Sequence, residues 1–232
     1  MPPISDLRPG CIIYDVNSSR GTLTCFARKL SVKGTLYGIT ARHVIGDGGY
    51  VWLGSPLGAD TLNIGGPSTH AAHMDALYFE IDDGVKGQLV EDNFKPIGFA
   101  ACATDVWDPG KQRVKVDKAK TAALAEPLKA KTKEVVHVGG TSTVMPIGPR
   151  VPVKGTLDKW GEVNKHAAVH ITQVASGDSG GPVLDLKFRY VGMVSTGSTL
   201  GTAPSGEVLF LHDILAEFSM ELATWQNRPQ WQ

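Results

Sequence analysis

Short apolar runs separated by turn-forming residues recur along the chain and constrain its fold more than any other feature. The turns are rich in Gly, Pro, Asn and Asp, and the 232 residues include 27 Gly and 14 Pro. The runs occupy residues 11–16, 23–29, 35–41, 50–53, 76–81, 134–138, 151–157, 168–174, 181–184, 190–194 and 208–211. Many short strands of this kind predict an antiparallel sandwich or barrel. Because helical periodicity is missing between them, a doubly wound α/β sheet is disfavoured, and we expect an all-β fold.

One helix is expected near the C-terminus, over residues 213–226. Apolar residues recur there at helical spacing, and Asp213 is a candidate N-cap. The apolar positions are Ile214, Leu215, Phe218, Leu222 and Trp225. A second candidate helix, at 119–130, is interrupted by Pro127 and is the weaker prediction.

The composition excludes a strong global field. Lys plus Arg equals Asp plus Glu at 23 each, so net charge gives no argument for nucleic acid or a membrane surface as the partner. The first residues lack a basic segment followed by an apolar run, and no secretory signal or membrane span is predicted. Three cysteines, Cys11, Cys25 and Cys102, cannot all pair. An odd, sparse set favours a reducing compartment, and we expect a cytoplasmic location.

A local basic cluster lies within residues 111–133. Its members are Lys111, Arg113, Lys115, Lys118, Lys120, Lys129, Lys131 and Lys133, against Asp117 and Glu126. One interpretation is a weak contact surface for RNA or an acidic partner. The other is a solvated connection between domains, which we favour because the cluster lacks aromatic residues that could stack on bases.

The most informative stretch is Ser-Gly-Asp-Ser-Gly-Gly-Pro-Val at residues 176–183. A serine hydroxyl is a weak nucleophile at neutral pH and needs a base beside it. It also needs backbone N–H donors for the oxyanion that forms when it attacks a carbonyl. Glycines around Ser179 permit a sharp turn that presents the amides of Gly177 and Ser179 as an oxyanion hole. We therefore expect Ser179 to be a nucleophile, the alternative being a tight hairpin with an incidental serine.

This stretch resembles the Gly-Asp-Ser-Gly-Gly-Pro hallmark of the chymotrypsin-like serine proteases, in which histidine and then aspartate precede the serine along the chain. Thr-Ala-Arg-His-Val at 40–44 follows an apolar run and is similar to the family's Thr-Ala-x-His signature. The resemblance identifies His43 as the general base, against the alternative of a structural histidine. An esterase of α/β-hydrolase type is disfavoured, because its serine comes first in the chain.

The resemblance also identifies Asp75, which directly precedes the apolar run at 76–81, as the carboxylate that orients His43. In the family such an aspartate accepts the histidine Nδ1–H and stabilises the imidazolium. The rival aspartates are Asp47, Asp60, Asp82 and Asp83. Asp47 is very close to His43 in sequence, and Asp82-Asp83 is typical of an exposed turn.

The fold that the resemblance implies is two antiparallel six-stranded β-barrels, with the catalytic cleft between them and a C-terminal α-helix. The expected division is an N-terminal barrel at 1–98 with His43 and Asp75, a connection at 99–118, a second barrel at 119–211 with Ser179, and a helix and tail at 212–232.

Two departures from secreted members of the family are informative. Val44 follows the histidine where those members usually have a cysteine, which agrees with a reducing compartment. No typical activation site precedes the first barrel, so we expect no zymogen activation. In family members that are activated from zymogens, the aspartate before the serine pairs with the freshly cut N-terminus. Asp178 has that position here and is expected to pair with an internal cation instead, with Arg150 as one candidate.

The substrate pocket is the least specific part of the resemblance. Gln173 stands six positions before Ser179, where trypsin-like members have an acidic residue, and the run at 190–197 is similar to the strand that pairs with the substrate backbone. The candidate substrate-binding residues are Gln173, Val174, Ser195, Thr196, Gly197 and Ser198. We expect a neutral, apolar or aromatic side chain in the pocket. Glu207 would instead favour a cation, and the terminal Gln232 would indicate glutamine.

The resulting prediction is a serine endopeptidase that cleaves a protein or polyprotein through an acyl-enzyme. The reaction needs no cofactor, and no metal-ligand spacing is found. The compact spacing between His43 and Asp75 resembles that of viral and bacterial members. Viral polyprotein processing is the expected role, and an intracellular bacterial-type protease, a non-catalytic homologue and an RNA-binding homologue are the alternatives.

Overall fold

The computed structural model describes residues 2–100, 102–107, 134–139, 153–163, 166–172, 174–175, 177–198 and 205–232. For residues 134, 153–163, 166–170, 172, 196–198 and 205, only the backbone is described. The basic cluster at 111–133, the candidate helix at 119–130, Arg150 and Gln173 lie outside the described residues.

The N-terminal half forms an antiparallel eight-stranded sheet in the order β14-β3-β4-β7-β6-β5-β1-β2. Its strands are β1 (Ile12–Tyr14), β2 (Arg20–Thr22), β3 (Cys25–Lys29), β4 (Tyr37–Thr40), β5 (Val51–Leu53), β6 (Leu62–His70), β7 (Leu77–Ile81) and β14 (Met220–Leu222). The last strand comes from the other end of the chain and pairs with β3, Leu222 lying opposite Ala27. The first unit therefore includes a C-terminal strand.

The second half forms a closed antiparallel barrel in the order β10-β13-β12-β11-β8-β9. Its strands are β8 (Glu134–His137), β9 (Val153–Val163), β10 (His166–Thr172), β11 (Pro182–Asp185), β12 (Tyr190–Ser198) and β13 (Ser205–Phe210). Alternate side chains of these strands form an apolar cluster that includes Val135, Val183, Val194 and Phe210, as expected when each strand has one face inward. The predicted all-β class with two antiparallel units is confirmed. The barrel has six strands, and the first sheet has eight.

The described helices are short. They are α1 (Arg42–Ile45), α2 (Asp83–Lys86) and α3 (Leu211–Glu217), with 3₁₀ turns at Ile4–Asp6, Glu91–Phe94 and Arg228–Gln230. No helix among the described residues is long and apolar enough to cross a bilayer.

The C-terminal helix exists, but its predicted bounds of 213–226 are wrong. It starts at Leu211, with Phe210 in the N-cap position, so Asp213 lies in the first turn. Ser219 has a left-handed φ of 53°, which a continuing helix cannot contain. The chain then enters β14. The apolar residues beyond Glu217 pack as parts of a strand and a turn.

The chain end is held in the core of the first unit. Trp231 is 1% exposed, and its Nε1 donates to the Thr224 carbonyl and to Asn227 Oδ1, each at 3.0 Å. Its ring lies 5.0 Å from that of Phe94. The last residues thus complete the packing of the sheet that β14 joins.

Candidate active site

His43 lies on the single turn of α1, directly after β4. Ala41 at the N-cap has extended backbone angles, and Gly46 ends the turn at φ +75°. Val44 and Ile45 are buried, whereas the His43 side chain is 48% exposed. The apolar pair anchors the turn, and the imidazole faces the surface.

Asp75 contacts His43 through both carboxylate oxygens. Its Oδ2 lies 2.8 Å from His43 Nδ1, and its Oδ1 accepts the His43 backbone N–H at 3.1 Å. The carboxylate side chain is 15% exposed. A carboxylate at Nδ1 assigns the ring proton to that nitrogen, which leaves Nε2 with its lone pair and able to act as a base.

Ser195 supplies a further contact to the same carboxylate. Its hydroxyl donates to Asp75 Oδ2 at 2.7 Å across 120 residues of sequence, and the residue is fully buried in β12. The second barrel thereby contacts the aspartate of the first unit. Ser195 was predicted to bind substrate. Because its hydroxyl is bonded to Asp75, only its backbone N–H and C=O are available for such a contact. Nothing in the local sequence of Ser195 indicates this role.

The rival aspartates have other surroundings. Asp47 Oδ1 lies 2.8 Å from His70 Nδ1. Asp82 caps α2 through its side chain, and Asp83 pairs with a lysine of the same helix. Asp60 lies in an exposed turn. Asp75 is the aspartate that the structure brings to His43.

Ser179 lies in a tight loop immediately before β11. Gly177 and Gly180 have φ of +94° and +87°, in a region that favours glycine. The Gly181 amide donates to the Asp178 carbonyl at 2.7 Å, and the Gly180 amide donates to the Val194 carbonyl at 2.7 Å. The first bond lies within the loop and the second attaches it to β12, and Ser179 is 8% exposed.

Strand β2 lies between this loop and α1. The Thr22 amide donates to the Ser179 carbonyl at 2.8 Å. A Cβ added at Gly21 would be 3.0 Å from the same carbonyl and would overlap both γ-carbons of Val44, which follows His43. The loop at residues 177–181, which contains the candidate nucleophile Ser179 and is called the nucleophile loop below, and the His43 turn therefore both contact Gly21 of β2.

The structure does not join Ser179 to His43 by a hydrogen bond. Among the described residues, the Ser179 hydroxyl has no partner within 3.5 Å. Catalytic hydrogen bonds are commonly long without substrate and shorten when it binds. The hydrogen bond between His43 and Asp75 is thus formed, while the predicted hydrogen bond between His43 and Ser179 is not.

The Gly177 and Ser179 amides meet the first requirement of an oxyanion hole. Neither donates a hydrogen bond within the part of the chain that the structure describes. In a trans peptide the N–H and C=O point in opposite directions. Because the Asp178 carbonyl is directed at Gly181, the Ser179 N–H of the same peptide points the other way, away from the loop interior.

Asp178 is fully buried beneath this loop. Its Oδ2 accepts the Ala175 amide at 2.9 Å. A Cβ at Gly139 would overlap the same carboxylate, so the segment that follows β8 approaches Asp178 closely at a glycine. Since Arg150 lies outside the described residues, the Asp178–Arg150 pair stays a prediction.

The candidate pocket is described only in part. Val174 is 1% exposed. The backbones of Gly197 and Ser198 pair with β13, and the pairing register shifts between Val194 and Gly197. The side chains of Thr196 and Ser198 are outside the described part. The expected specificity therefore stays a prediction.

Cys25 and Cys102 lack the features of a nucleophile. Neither they nor Cys11 form a disulfide among the described residues. Burial strongly raises the pKa of the Cys25 thiol, and burial followed by the negative charge of Asp185 raises the pKa of Cys102 to about 12. A thiol with a raised pKa holds little thiolate at neutral pH, and thiolate is the reactive form.

Comparison with known proteins places the fold. No family model matches the chain, and no curated protein matches it in sequence. Among solved structures, a glutamic acid specific serine protease that uses a histidine triad in substrate binding is 17% identical, with a TM-score of 0.57, over 93% of this chain and 99% of that chain. Thermobifida fusca Protease A is 15% identical, with a TM-score of 0.55, over 94% and 98%.

Nocardiopsis Protease is similar at 16% identity and a TM-score of 0.53, over 94% of this chain and all of that chain. At these identities, a likeness of structure establishes the fold. The chain has the fold of the chymotrypsin-like serine proteases, as its motifs predicted.

Proposed function

We propose that this chain is a serine endopeptidase in which Ser179 attacks the peptide carbonyl, His43 is the general base and Asp75 orients His43. The supporting observation is the contact between His43 Nδ1 and Asp75 Oδ2 at 2.8 Å. The turn that carries His43 and the loop that carries Ser179 both pack against β2. Three donors converge on Asp75, namely the His43 amide, the His43 ring and the Ser195 hydroxyl. These bonds hold the carboxylate in one orientation.

The proposed reaction follows from these positions. His43 Nε2 accepts the Ser179 proton as the oxygen bonds to the carbonyl carbon, and the amides of Gly177 and Ser179 stabilise the oxyanion. His43 then gives the proton to the leaving amine as the C–N bond breaks. Water then loses a proton to His43 as its oxygen bonds to the acyl carbon. The bond from that carbon to Ser179 Oγ breaks, His43 gives the proton to Oγ, and a carboxylic acid leaves.

The test is a cleavage profile on a peptide library, with wild type and Ser179→Ala in parallel. We expect cleavage by the wild type and none above background by the variant. Cleaved positions would also report the pocket preference, for which we infer a neutral, apolar or aromatic side chain. Equal cleavage by both proteins would refute the assignment of Ser179, and an inactive wild type would favour a non-catalytic homologue.

We infer viral polyprotein processing in the cytoplasm as the role, with an intracellular bacterial-type protease as the alternative. The support is the sequence: sparse cysteines, Val44 after the histidine and the short interval from His43 to Asp75. The full translation product of the gene, made with Ser179→Ala so that it cannot cleave itself, is supplied as substrate to the wild-type enzyme. Cleavage of that product at discrete sites is expected for a polyprotein protease, and an uncleaved product contradicts the role.

We also propose that residues 111–133 bind RNA or an acidic partner weakly. It rests on the eight basic residues of that segment, which lies outside the described part. Binding to a labelled RNA at several salt concentrations, with and without neutralisation of Lys111, Lys115 and Lys118, is the measurement. Salt-dependent binding that the neutral variant loses would support the contact.

A further inference from the structure

Thr22 contacts the nucleophile loop at two points. Its backbone N–H donates to the Ser179 carbonyl at 2.8 Å, and its hydroxyl donates to the Gly177 carbonyl at 3.1 Å. The residue is fully buried. A single residue of the first sheet therefore binds the loop on both sides of Asp178.

The two contacts flank the peptide that carries the Ser179 N–H. That peptide joins Asp178 to Ser179, and its carbonyl accepts the Gly181 amide at 2.7 Å. The preceding peptide has the Gly177 carbonyl, and the following one has the Ser179 carbonyl, and Thr22 is bonded to both. Since each peptide is planar, fixing both neighbours and the central carbonyl leaves little freedom to the central N–H.

Thr22 is itself held by a second threonine. The Thr40 hydroxyl, at the end of β4 and next to the histidine turn, donates to the Thr22 carbonyl at 2.7 Å. A Cβ at Gly180 would overlap the Thr22 carbonyl and the Thr40 hydroxyl, so the loop approaches both at van der Waals distance. The contacts run from the strand that precedes His43 through Thr22 to the loop of Ser179.

We propose that Thr22 is a positioning residue that orients the oxyanion-binding amides, through the bond from its hydroxyl to the Gly177 carbonyl. This inference rests on the proposed peptidase function. Within the described residues, the Thr22 hydroxyl is the donor to that carbonyl. Removing the hydroxyl leaves the carbonyl without its partner and frees the peptide that precedes the Ser179 amide.

The chain offers a conservative rescue and a matched control. Thr22→Val keeps the side-chain shape and removes the hydroxyl, whereas Thr22→Ser keeps the hydroxyl. Thr24 provides the control, because its hydroxyl donates to the Gly180 carbonyl at 2.6 Å, beyond Ser179. Thr24→Val therefore removes a buried hydroxyl bond to the same loop, away from the two amides.

The experiment compares kcat, KM and the affinity for a peptide boronate, which forms a tetrahedral adduct with serine. Thr22→Val is expected to lower kcat by about tenfold to a hundredfold with KM nearly unchanged. This loss of kcat is smaller than the loss of about 100- to 1000-fold that follows removal of an oxyanion donor itself. Boronate affinity should fall in parallel with kcat/KM. Thr22→Ser should remain close to wild type, and Thr24→Val should lose much less kcat than Thr22→Val.

Amide hydrogen exchange over residues 174–182 gives a readout independent of turnover. Faster exchange in Thr22→Val than in Thr22→Ser is the expected result. Equal kcat losses in Thr22→Val and Thr24→Val, unchanged boronate affinity or equal exchange in the two Thr22 variants would each overturn the positioning role. An inactive wild type would instead overturn the peptidase function and the positioning role with it, so the two failures are distinct.

Discussion

His43 Nδ1 and Asp75 Oδ2 lie 2.8 Å apart, and the same carboxylate also binds the His43 backbone amide. The first bond fixes which ring nitrogen carries the proton, and the second fixes the position of the histidine turn. Asp75 thus determines both the tautomer of the His43 ring and the position of the turn that carries it.

Asp75→Asn tests this arrangement. An amide can keep an oxygen on the His43 N–H, but its NH₂ group then faces Nδ1 and favours the tautomer with the proton on Nε2. That tautomer cannot accept the Ser179 proton. We expect kcat to fall by roughly 10⁴-fold, measured on a fluorogenic peptide, with far-UV circular dichroism unchanged. Activity within tenfold of wild type would contradict the role of Asp75.

Ser195→Ala removes one of the donors to Asp75 and leaves the His43 contacts in place. A hydrogen bond to a charged group contributes about 1.5–3 kcal/mol, so we expect a loss of that order in the free energy of unfolding and a smaller loss of kcat than in Asp75→Asn. Urea denaturation and steady-state kinetics measure the two effects. A kcat loss as large as that of Asp75→Asn would show that Ser195 has a direct part in the chemistry.

Gly21→Ala would place a methyl group against Val44 and the Ser179 carbonyl. Overpacking of a buried site costs about 1–3 kcal/mol, and here the displaced groups adjoin His43 and Ser179. We expect a lower urea midpoint together with reduced kcat. The double variant Gly21→Ala/Val44→Ala should lose less stability than the sum of the single changes, because the added and deleted groups share one space. Strict additivity would contradict the contact.

Cys102 should respond to pH in a defined direction. Burial raises the pKa of its thiol from 9.0 to about 12. A raised folded-state pKa contributes stability that is complete below the unfolded value and lost as pH rises through the folded value. Wild type should therefore lose stability between about pH 9 and pH 12 more steeply than Cys102→Ala. At pH 8, iodoacetamide should modify Cys102 in native protein much more slowly than in urea, and equal rates would refute the burial.

Trp231→Ala tests the packing of the chain end. The ring is 1% exposed and in contact with Phe94. Loss of a buried tryptophan costs about 3–5 kcal/mol, which urea denaturation would detect. Trp231→Phe keeps most of the apolar volume but loses the Nε1 bonds to Thr224 and Asn227, so it should lie between wild type and Trp231→Ala. An unchanged midpoint in both variants would mean that the tail is dispensable.

The fold class was predictable because turn residues and short apolar runs carry local information. Three strands, β2, β6 and β14, were not predicted, and the first two were missed because of their glycine and proline residues. Strand β6 contains Gly65-Gly66-Pro67, which reads as a turn, yet the strand continues past a register shift between Gly65 and Ser68, and bulges of this kind admit glycine and proline. Strand β2 contains Gly21, whose missing side chain makes room for Val44.

The bounds predicted for the C-terminal helix were wrong because apolar residues of strand β14 fall at positions that also fit a helical spacing. Leu222 and Trp225 fall at helical spacing from Ile214, but Leu222 pairs with Ala27 as a strand residue. That pairing spans nearly the whole chain, and no local pattern reports it. The left-handed turn that separates the helix from the strand lies at Ser219 and not at a glycine, so the sequence contains no signal for it.

The candidate site also contains residues that local sequence predicts and residues that it does not. His43, Asp75 and Ser179 were identified from motifs that lie within a few residues of each. The roles of Thr22 and Ser195 depend on hydrogen bonds across 155 and 120 residues, so only the folded chain brings them to the loop and to Asp75. Sequence motifs predicted the candidate reacting groups, whereas the residues that contact those groups were found only in the structure.

The most direct test of the central claim is capture of the acyl-enzyme. Wild type mixed with a peptide ester and quenched in acid during turnover should gain the mass of the acyl group, and tandem mass spectrometry should place it on Ser179. Ser179→Ala should gain no mass and hydrolyse no ester above background. An acyl group on another residue, or hydrolysis that survives in Ser179→Ala, would contradict Ser179 as the nucleophile.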